Sequence, residues 1–451
     1  MAVSNLRASL RLRKIALPKA PLLFRRCYFS DEALPEQAPD TTPKVNVYTQ
    51  GESSLRVQKF PVTHEDDSGI MSYIRLRENC QCPLCVDVHS KQRNFRSFDI
   101  PPNIRPKSIT QGEGSINITW ENDITGFDSS HVSVYTADQI LRPVSHEVGK
   151  VAYKLKERRL WQRCDMEAKQ HWISYPDYMD HDGRFAHAMR QLSLYGIIFL
   201  KDIPDSREMV ERIATRMGPL RNTFYGSTWD VRKVPEAHNV AYTSQFLDFH
   251  MDLLYMKDPP GYQLLHCLRN SCDGGESLFA DSVRVASQIE RHQPKHFSTL
   301  KAVNLHYHYD HKDHHYSRHW PVVEMRGQSV KGGDYIHNVN YSPPFQGPRN
   351  DFRTPTAAKP LRICKQIDEI EALRYFAGEL GKEENIFELK LNPGECVIFE
   401  NRRVVHARRQ FNTTSGERWL AGAYVDEDAL QSCFRTSMES HPHIWDDGSK
   451  H

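Results

Sequence analysis

The sequence predicts a mainly β protein with inserted helices, divided into a small β-rich N-terminal domain and a larger jelly-roll domain. Many short segments with alternating or continuous apolar residues are separated by turn residues, which is the pattern of short strands. Histidine and carboxylate residues capable of binding a metal are expected at the ends of these strands. Short strands, inserted helices and metal residues at strand ends together favour a jelly roll built from two packed sheets.

The length and composition set the limits of this prediction. A chain of 451 residues is long enough for one large domain and a smaller one. The net charge of +2 gives no indication of a nucleic-acid or membrane partner, and no apolar run approaches the roughly 20 residues that cross a bilayer. The ten cysteines are scattered, apart from one tight cluster, which argues against a disulfide scaffold.

The N-terminal segment differs in composition from the rest of the chain. It is rich in arginine and leucine, and its first acidic residue is Asp31. This composition is typical of a mitochondrial transit peptide, and an ordinary basic tail is the alternative interpretation. We therefore predict a transit peptide at residues 1–30, a linker at residues 31–45 and a location in the mitochondrial matrix.

A cysteine cluster marks the predicted N-terminal domain, residues 46–148. It consists of Cys80, Cys82 and Cys85. Three thiolates so close together predict a closed, structural zinc site, which needs a fourth ligand. The candidates for that ligand are His89, His131 and His146. The segments Ser72–Arg77 and Ser115–Trp120 alternate like strands and predict a small β-rich domain around the metal.

The second domain is predicted at residues 149–440, followed by a tail at residues 441–451. Helices are expected at Lys154–Cys164, Arg184–Leu194, Ser206–Met217 and along the apolar positions Ile363, Ile367, Ile370 and Leu373. Strands are expected at Gly196–Leu200, Gln263–Leu268, Glu276–Asp281, Ile386–Leu391 and Cys396–Phe399. The turn sequences at residues 273–275 and 392–395 predict that the strands on either side of each turn form hairpins.

The pair His250 and Asp252 carries the strongest functional signal. Side chains on a strand alternate with period two, so this imidazole and carboxylate are expected on one face. A distant His406 can complete a triad that binds Fe(II) and leaves positions open for a cosubstrate and O2. Arg418, twelve positions later, is expected on the neighbouring strand of a hairpin, where it can clamp a carboxylate. Together these residues predict a 2-oxoglutarate-dependent oxygenase.

Motifs in a fixed order over residues 70–430 resemble those of the gamma-butyrobetaine dioxygenase family, in the superfamily of taurine dioxygenase. They are Asn79–Cys85, Asn239–Thr243, Phe249–Asp252, Pro259–His266, Gly274–Ser277, Asn401–His406 and Gly422–Tyr424. The resemblance implies a double-stranded β-helix and a homodimer that uses Fe(II), 2-oxoglutarate, O2 and ascorbate. It assigns Fe(II) to His250, Asp252 and His406, 2-oxoglutarate to Arg418 with Ser277 nearby, and the fourth zinc position to His131.

The same resemblance implies an aromatic cage for a trimethylammonium group. Its members are Tyr225, Trp229, Tyr242 and Tyr424, with Asn239 orienting the substrate. A quaternary ammonium has no hydrogen-bond donor, so ring faces recognise it, each worth about 0.5–2 kcal/mol. Core packing is the usual role of an isolated aromatic residue, but four at cage positions favour a cage. The implied reaction is hydroxylation of gamma-butyrobetaine to L-carnitine. Alternatives are a trimethyllysine dioxygenase, a related oxygenase with another mitochondrial substrate and a non-catalytic zinc-stabilised binding protein.

The sequence departs from the family in two places. Met251 stands where the family often has threonine, and residues 331–350 match poorly. The family uses this second region to contact the substrate carboxylate, so Asn338 and Asn340 are the candidates for that role. The stretch from His306 to His319 contains six histidines outside the matched motifs. We interpret it as exposed loop and strand, with a second metal site as the weaker alternative.

Overall fold

A computed structural model describes residues 44–60, 68–112, 115–127, 130–136, 139, 157–232, 243–326, 335–348 and 360–446. The predicted transit peptide lies outside these residues, and the first strand begins at Lys44, inside the predicted linker. The chain divides into two compact units, Met1–Leu141 and Arg142–His451. No helix among the described residues is long and apolar enough to span a membrane.

The N-terminal unit contains two three-stranded antiparallel sheets. The first is formed by β1 (Lys44–Gln50), β2 (Ser54–Phe60) and β3 (Ser68–Ser72), and the second by β4 (Pro106–Gly112), β5 (Ser115–Trp120) and β6 (Val132–Thr136). The strand prediction for Ser115–Trp120 is confirmed, since β5 alternately buries its apolar side chains. These inward residues form the core of the unit.

The strand predicted at Ser72–Arg77 is wrong, because the chain turns there into helix α1 (Tyr73–Glu78). The Ser72 hydroxyl accepts a hydrogen bond from the Arg75 backbone N–H at 3.2 Å and so caps the helix. The buried residues Tyr73, Leu76 and Arg77 have helical spacing. The capping serine therefore outweighs the short alternation that favoured a strand.

The second unit is built on a six-stranded and a four-stranded sheet. Its strands are β7 (Trp172–Ser174), β8 (Ile197–Lys201), β9 (Thr228–Arg232), β10 (Leu247–His250), β11 (Tyr262–Asn270), β12 (Ser277–Asp281), β13 (Asn304–His311), β14 (His314–Pro321), β15 (Val323–Arg326), β16 (Tyr335–Val339), β17 (Phe387–Leu389), β18 (Cys396–Glu400), β19 (Val404–Arg408) and β20 (Arg418–Val425). The larger sheet has the order β7-β8-β18-β11-β20-β9 and the smaller β10-β19-β12-β17. The pairs β13–β14 and β15–β16 form separate hairpins.

The two sheets pack face to face around one apolar core. Phe279 of β12 and Phe399 of β18 belong to opposite sheets, and their rings are 5.6 Å apart. The helices are α2 (Arg163–Lys169), α3 (Tyr175–Asp180), α4 (Asp182–Tyr195), α5 (Met209–Met217), α6 (Ser282–His292), α7 (Pro294–Ala302), α8 (Pro360–Leu380), α9 (Glu427–Ser440) and α10 (Pro442–Trp445). The predicted mainly β class with inserted helices is confirmed.

Both predicted hairpins are wrong, although their turns exist. The turn at residues 273–275 connects β11 of the larger sheet to β12 of the smaller one. Gly274 and Gly275 have φ values of 79° and 76°, and a Cβ at Gly274 would lie 2.2 Å from the Gln410 carbonyl oxygen. The turn at residues 392–395 likewise connects β17 to β18 of the other sheet. Turn chemistry predicts a chain reversal but not the sheet that receives the next strand.

The helix predictions are confirmed in part. The helix expected at Arg184–Leu194 lies within α4, and the one expected at Ser206–Met217 begins at Met209. The helix predicted at Lys154–Cys164 is wrong at residues 157–162, because α2 begins only at Arg163.

Helix α8 confirms the helix predicted from its apolar residues, but two of those residues point away from the core, whereas Leu373 packs against it. Ile367 and Ile370 are 54% and 53% exposed. The buried stripe is Ala372, Phe376 and Leu380, four residues apart, which pack into the core of the second unit.

Candidate active site

The pairing of β10 with β19 brings the predicted metal triad together. His250, the last residue of β10, lies opposite His406 of β19, and their ring centroids are 4.1 Å apart. The possible ligand atoms of His250, Asp252 and His406 all lie within 4.8 Å of one another. Asp252 follows the strand instead of belonging to it, and the next residue, Leu253, has a φ of 61°. The expected strand geometry therefore applies to His250, and a turn places Asp252.

Two buried side chains orient Asp252. The Tyr424 hydroxyl donates to its Oδ2 at 2.7 Å. The Asn401 side chain, which is 0% exposed, accepts from the Asp252 backbone N–H at 2.9 Å and donates to its carbonyl at 3.0 Å. The same Asn401 amide also donates to the Pro260 carbonyl oxygen at 3.0 Å. The Tyr424 bond fixes the direction of the carboxylate, and the Asn401 bonds hold the backbone that carries it.

The two imidazoles are suited to metal binding. The backbone carbonyl of Asp248 lies 2.8 Å from Nδ1 of His250, so Nδ1 carries the proton and Nε2 keeps its lone pair. Burial, and then the neighbouring His250, lower the pKa of His406 well below its ordinary value. A neutral imidazole is the form that binds metals. Two imidazoles and one carboxylate fit Fe(II) with open coordination positions.

A cavity opens beside the triad. Its apolar lining is Trp229, Val231, Leu247, Leu265, Phe279, Ala407 and Leu420, and its polar lining is His250, Asp252, Gln263, Ser277, His406, Arg408 and Arg418. An apolar wall with a few polar groups is typical of a small-molecule site.

Arg418 offers this cavity a buried positive charge. Its Nε is buried without a hydrogen-bond partner among the described residues, and its guanidinium lies 5.6 Å from the centre of the Phe411 ring. Burial lowers the pKa of Arg418 to about 10, so it stays charged at neutral pH. A buried guanidinium calls for a carboxylate partner, which 2-oxoglutarate can supply. Ser277 lines the same cavity.

The predicted hairpin between the strands of His406 and Arg418 is wrong. His406 lies on β19 of the smaller sheet, whereas Arg418 begins β20 of the larger one. Both nevertheless line the cavity, because the two sheets pack face to face around it. The arginine therefore reaches the site from the opposite wall.

Arg408 is a site residue that the sequence reasoning missed. It lies two positions after His406 on β19, and strand periodicity could have revealed that both face the cavity. Its Nη2 donates to the carbonyl oxygens of Thr243 and Gln245 at 2.9 and 2.7 Å. Burial, and then Arg418, lower the pKa of Arg408 to about 9. Arg408 thus anchors the segment leading to β10 against the cavity wall.

Trp229 and Tyr424 form an aromatic corner at the cavity. The Trp229 ring lies flat over Gly422, where a Cβ would come within 2.3 Å of it. Its centroid is 5.1 Å from that of Tyr424. Trp229 lines the cavity, and Tyr424 stands next to it with its hydroxyl on Asp252. The absence of a side chain at residue 422 is what allows this approach.

The other predicted cage residues are not all at this corner. Tyr225 packs on Phe224 with a centroid distance of 4.1 Å, and its hydroxyl lies 3.5 Å from that of Tyr255. Tyr225 is not among the residues that line the cavity. Tyr242 and Asn239 lie outside the described residues.

The two asparagines proposed for the substrate carboxylate do not line the cavity. The Asn340 amide is already engaged, since it donates to the Pro321 carbonyl at 2.7 Å and accepts from Arg402 at 2.6 Å. Asn338 lies on β16, which pairs only with β15 in a two-stranded sheet. The expectation that either residue faces the substrate is therefore wrong for this cavity.

The histidine-rich stretch forms the hairpin β13–β14, as its interpretation as a strand predicted. The rings of His306 and His319 stack at 4.6 Å, and those of His306 and His308 at 5.5 Å. Within the described ranges, no histidine of this stretch belongs to a group that could hold a metal.

In the N-terminal unit, Cys80, Cys82 and Cys85 come together with His131. Their ligand atoms lie within 4.8 Å of one another. His131 also contacts Asp123, whose Oδ2 is 2.5 Å from Nδ1. A carboxylate on the far side of a histidine ring is the usual partner of a zinc-binding imidazole, so the donor set fits zinc. His89 is exposed and outside this group, and His146 lies outside the described residues.

Comparison with known proteins agrees with this chemistry. The profile of the Taurine catabolism dioxygenase TauD, TfdA family matches residues 162–424, and that of the Gamma-butyrobetaine hydroxylase-like N-terminal domain matches residues 54–140. The chain is 32% identical over 372 residues to Dioxygenase str8 of Strobilurus tenacellus, covering 79% of this chain and 82% of that protein. It is 27% identical over 381 residues to Gamma-butyrobetaine dioxygenase of Homo sapiens, covering 82% and 92%. It is 26% identical over 364 residues to mitochondrial Trimethyllysine dioxygenase of Rattus norvegicus, covering 80% and 82%.

The protein is thus a dioxygenase that depends on Fe(II) and 2-oxoglutarate, as its sequence predicted. More specifically, it belongs to the TauD/TfdA family, and the resemblance to the gamma-butyrobetaine dioxygenase group is confirmed by both profiles and by the relatives.

Proposed function

We propose that this dioxygenase hydroxylates a trimethylammonium carboxylate and that gamma-butyrobetaine, converted to L-carnitine, is its substrate. The observation that carries this proposal is the Trp229 ring, which lines the cavity beside the metal triad. Tyr424, at 5.1 Å, adds a second ring to the same corner. A cation without hydrogen-bond donors is recognised best by such ring faces.

The described residues have distinct roles in this reaction. His250, Asp252 and His406 would hold Fe(II), and Arg418 would bind the distal carboxylate of 2-oxoglutarate, with Ser277 beside it. When bound, Fe(II) with 2-oxoglutarate and O2 supplies the oxidation: one oxygen atom enters the substrate, the other enters succinate, and CO2 leaves. Ascorbate would keep the iron reduced. The apolar walls of the cavity exclude water, and the aromatic corner holds the ammonium group.

The type of β fold, the zinc site and the oligomeric state are proposed together with this function. The two packed sheets would constitute a double-stranded β-helix. The group formed by Cys80, Cys82, Cys85 and His131 would bind a structural zinc ion, with the first three as thiolates. A homodimer is proposed from the family resemblance alone.

A mitochondrial matrix location is also proposed. Its support is the basic composition of residues 1–30 and the relatives named mitochondrial Trimethyllysine dioxygenase. The relatives named Gamma-butyrobetaine dioxygenase carry no such word in their names.

Trimethyllysine is the second candidate substrate. The identities of 27% and 26% to the two groups of named enzymes are nearly equal. Both candidates present the same trimethylammonium group to Trp229, and they differ at the other end, where trimethyllysine adds an α-ammonium. A third substrate is the remaining alternative, since the name Dioxygenase str8 specifies none. Family membership leaves the non-catalytic alternative without support.

Succinate formation from 2-oxoglutarate tests the substrate. Purified protein with Fe(II), ascorbate and O2 would be compared with gamma-butyrobetaine, trimethyllysine or no addition, with His250→Ala as the blank. We expect butyrobetaine-dependent turnover that disappears in the variant. Stimulation by trimethyllysine alone would favour the second candidate, and stimulation by neither would contradict a trimethylammonium substrate.

The isostere 5,5-dimethylhexanoate, in which an uncharged carbon replaces the ammonium nitrogen, isolates the role of the positive charge. We expect gamma-butyrobetaine to be preferred over it by wild-type protein, and the preference to shrink in Trp229→Leu, because a leucine has no ring face. Equal use of both compounds by the wild-type protein would contradict recognition of the cation by the aromatic corner.

A further inference from the structure

Gln263 is a buried amide in the wall of the active-site cavity. The residue is 1% exposed, and its Oε1 is buried without a hydrogen-bond partner among the described residues. Leu265, two positions along β11, lines the same cavity with an apolar side chain. An unpaired buried amide destabilises the folded state relative to an apolar residue of similar size. This residue type at this position therefore indicates a ligand that completes its hydrogen bonds.

The strand register places Gln263 at the metal end of the cavity. It lies directly opposite Tyr424 on one neighbouring strand and Phe399 on the other. Tyr424 donates to the metal ligand Asp252, and the Phe399 ring packs 5.0 Å from that of His406. Arg418 lies at the other end of β20. A ligand that reaches from the arginine to the metal therefore ends near the Gln263 amide.

Few other polar groups are available at this end. The Tyr424 hydroxyl already donates to Asp252, and neither Asn338 nor Asn340 lines the cavity. The two ends of an amide exchange when it rotates through 180°, so Gln263 can present either an N–H donor or a carbonyl acceptor. A carboxylate accepts hydrogen bonds only, and it would therefore pair with the N–H group.

We propose that Gln263 is a carboxylate-binding residue whose amide N–H donates to a ligand oxygen at the metal end of the cavity. This oxygen belongs either to the 2-oxo acid end of the cosubstrate or to the carboxylate of the organic substrate. The second source rests on the function proposed above. Charged acceptors make the stronger hydrogen bonds, so the contact contributes measurably to affinity.

Calorimetric titration of the Fe(II)-loaded protein without O2 tests this proposal. Gln263→Leu removes the donor, and Gln263→Glu replaces it with a negative charge. Leu264→Met is the control, at a neighbouring position of β11 that does not line the cavity and packs in another apolar cluster. Each protein is titrated with 2-oxoglutarate, and then with gamma-butyrobetaine in the presence of 2-oxoglutarate. We expect Gln263→Leu to lower the affinity for one of these two ligands by about tenfold, and Gln263→Glu to lower it further. The control should bind both ligands with wild-type affinity.

The melting temperature of the ligand-free proteins separates ligand binding from packing. We expect Gln263→Leu to melt at or above the wild-type temperature, because the unpaired amide is removed.

The titrations identify the ligand that Gln263 contacts. Lower affinity for 2-oxoglutarate assigns the contact to the cosubstrate, and lower affinity for gamma-butyrobetaine assigns it to the substrate. Unchanged affinity for every carboxylate that the wild-type protein binds would overturn the proposal, as would a loss of affinity that Leu264→Met reproduces. If the wild-type protein did not bind gamma-butyrobetaine, the proposed substrate would be contradicted. The 2-oxoglutarate titration would still test whether Gln263 binds a carboxylate.

Discussion

Tyr424 donates a 2.7 Å hydrogen bond to Asp252 while its ring packs 5.1 Å from Trp229. One side chain therefore connects the metal triad to the aromatic corner of the cavity. Burial, and then the charge of Asp252, raise the pKa of Tyr424 well above its ordinary value, so its hydroxyl remains a donor. This arrangement predicts that metal binding and cation recognition are separable at this residue.

Tyr424→Phe removes the hydroxyl and keeps the ring. We expect about a tenfold loss of Fe(II) affinity, because outer hydrogen bonds to metal ligands are worth 10–100-fold, with little change in KM for gamma-butyrobetaine. Tyr424→Leu should impair both. Anaerobic Fe(II) titration and steady-state kinetics measure the two effects. Wild-type Fe(II) affinity in Tyr424→Phe would contradict the role of the hydroxyl.

Arg418→Leu should strongly weaken binding of 2-oxoglutarate, because the distal carboxylate would lose its buried partner. Arg418→Lys should retain weak binding, since a lysine offers charge without the planar bidentate geometry. We expect the KM for 2-oxoglutarate to rise by roughly 100-fold or more in Arg418→Leu. The melting temperature of the ligand-free variant should not fall, since no carboxylate among the described residues pairs with Arg418. Unaltered 2-oxoglutarate binding would exclude Arg418 as the clamp.

Gly422→Ala should displace the Trp229 ring, because the added Cβ would lie 2.3 Å from it. We expect the KM for gamma-butyrobetaine to rise while the affinity for Fe(II) and 2-oxoglutarate is retained. Gly183→Ala is the matched control, since its Cβ would meet nothing within 4 Å. Equal kinetics in the two variants would show that the position of the Trp229 ring does not matter for the substrate.

The cysteine group of the N-terminal unit predicts one bound zinc ion per chain. Arg77 donates to Cys85 Sγ at 3.2 Å and to Asp123 at 2.5 Å, so it offsets the negative charge of the thiolates. Cys85→Ala should lose the zinc and destabilise this unit, whereas Cys164→Ala, at an exposed free cysteine, should keep both. Elemental analysis and thermal melting provide the measurements. Full zinc content in Cys85→Ala would refute the site.

The metal triad and Arg418 were predictable because their chemistry depends on residue types in a fixed order. The contact between Tyr424 and Asp252 was not, since it joins residues 172 positions apart and depends on how two sheets face each other. The same limit explains the two failed hairpins, whose turns were correct but whose strands joined different sheets. Arg408 is different, because its spacing from His406 was visible in the sequence.

The identity of the hydroxylated product tests the proposed function most directly. The protein would be incubated with gamma-butyrobetaine, 2-oxoglutarate, Fe(II) and 18O2, and the products would be analysed by mass spectrometry. We expect carnitine that carries one atom of 18O, formed in step with succinate, and none with His250→Ala. Succinate formed while gamma-butyrobetaine is recovered unchanged would contradict the proposed substrate.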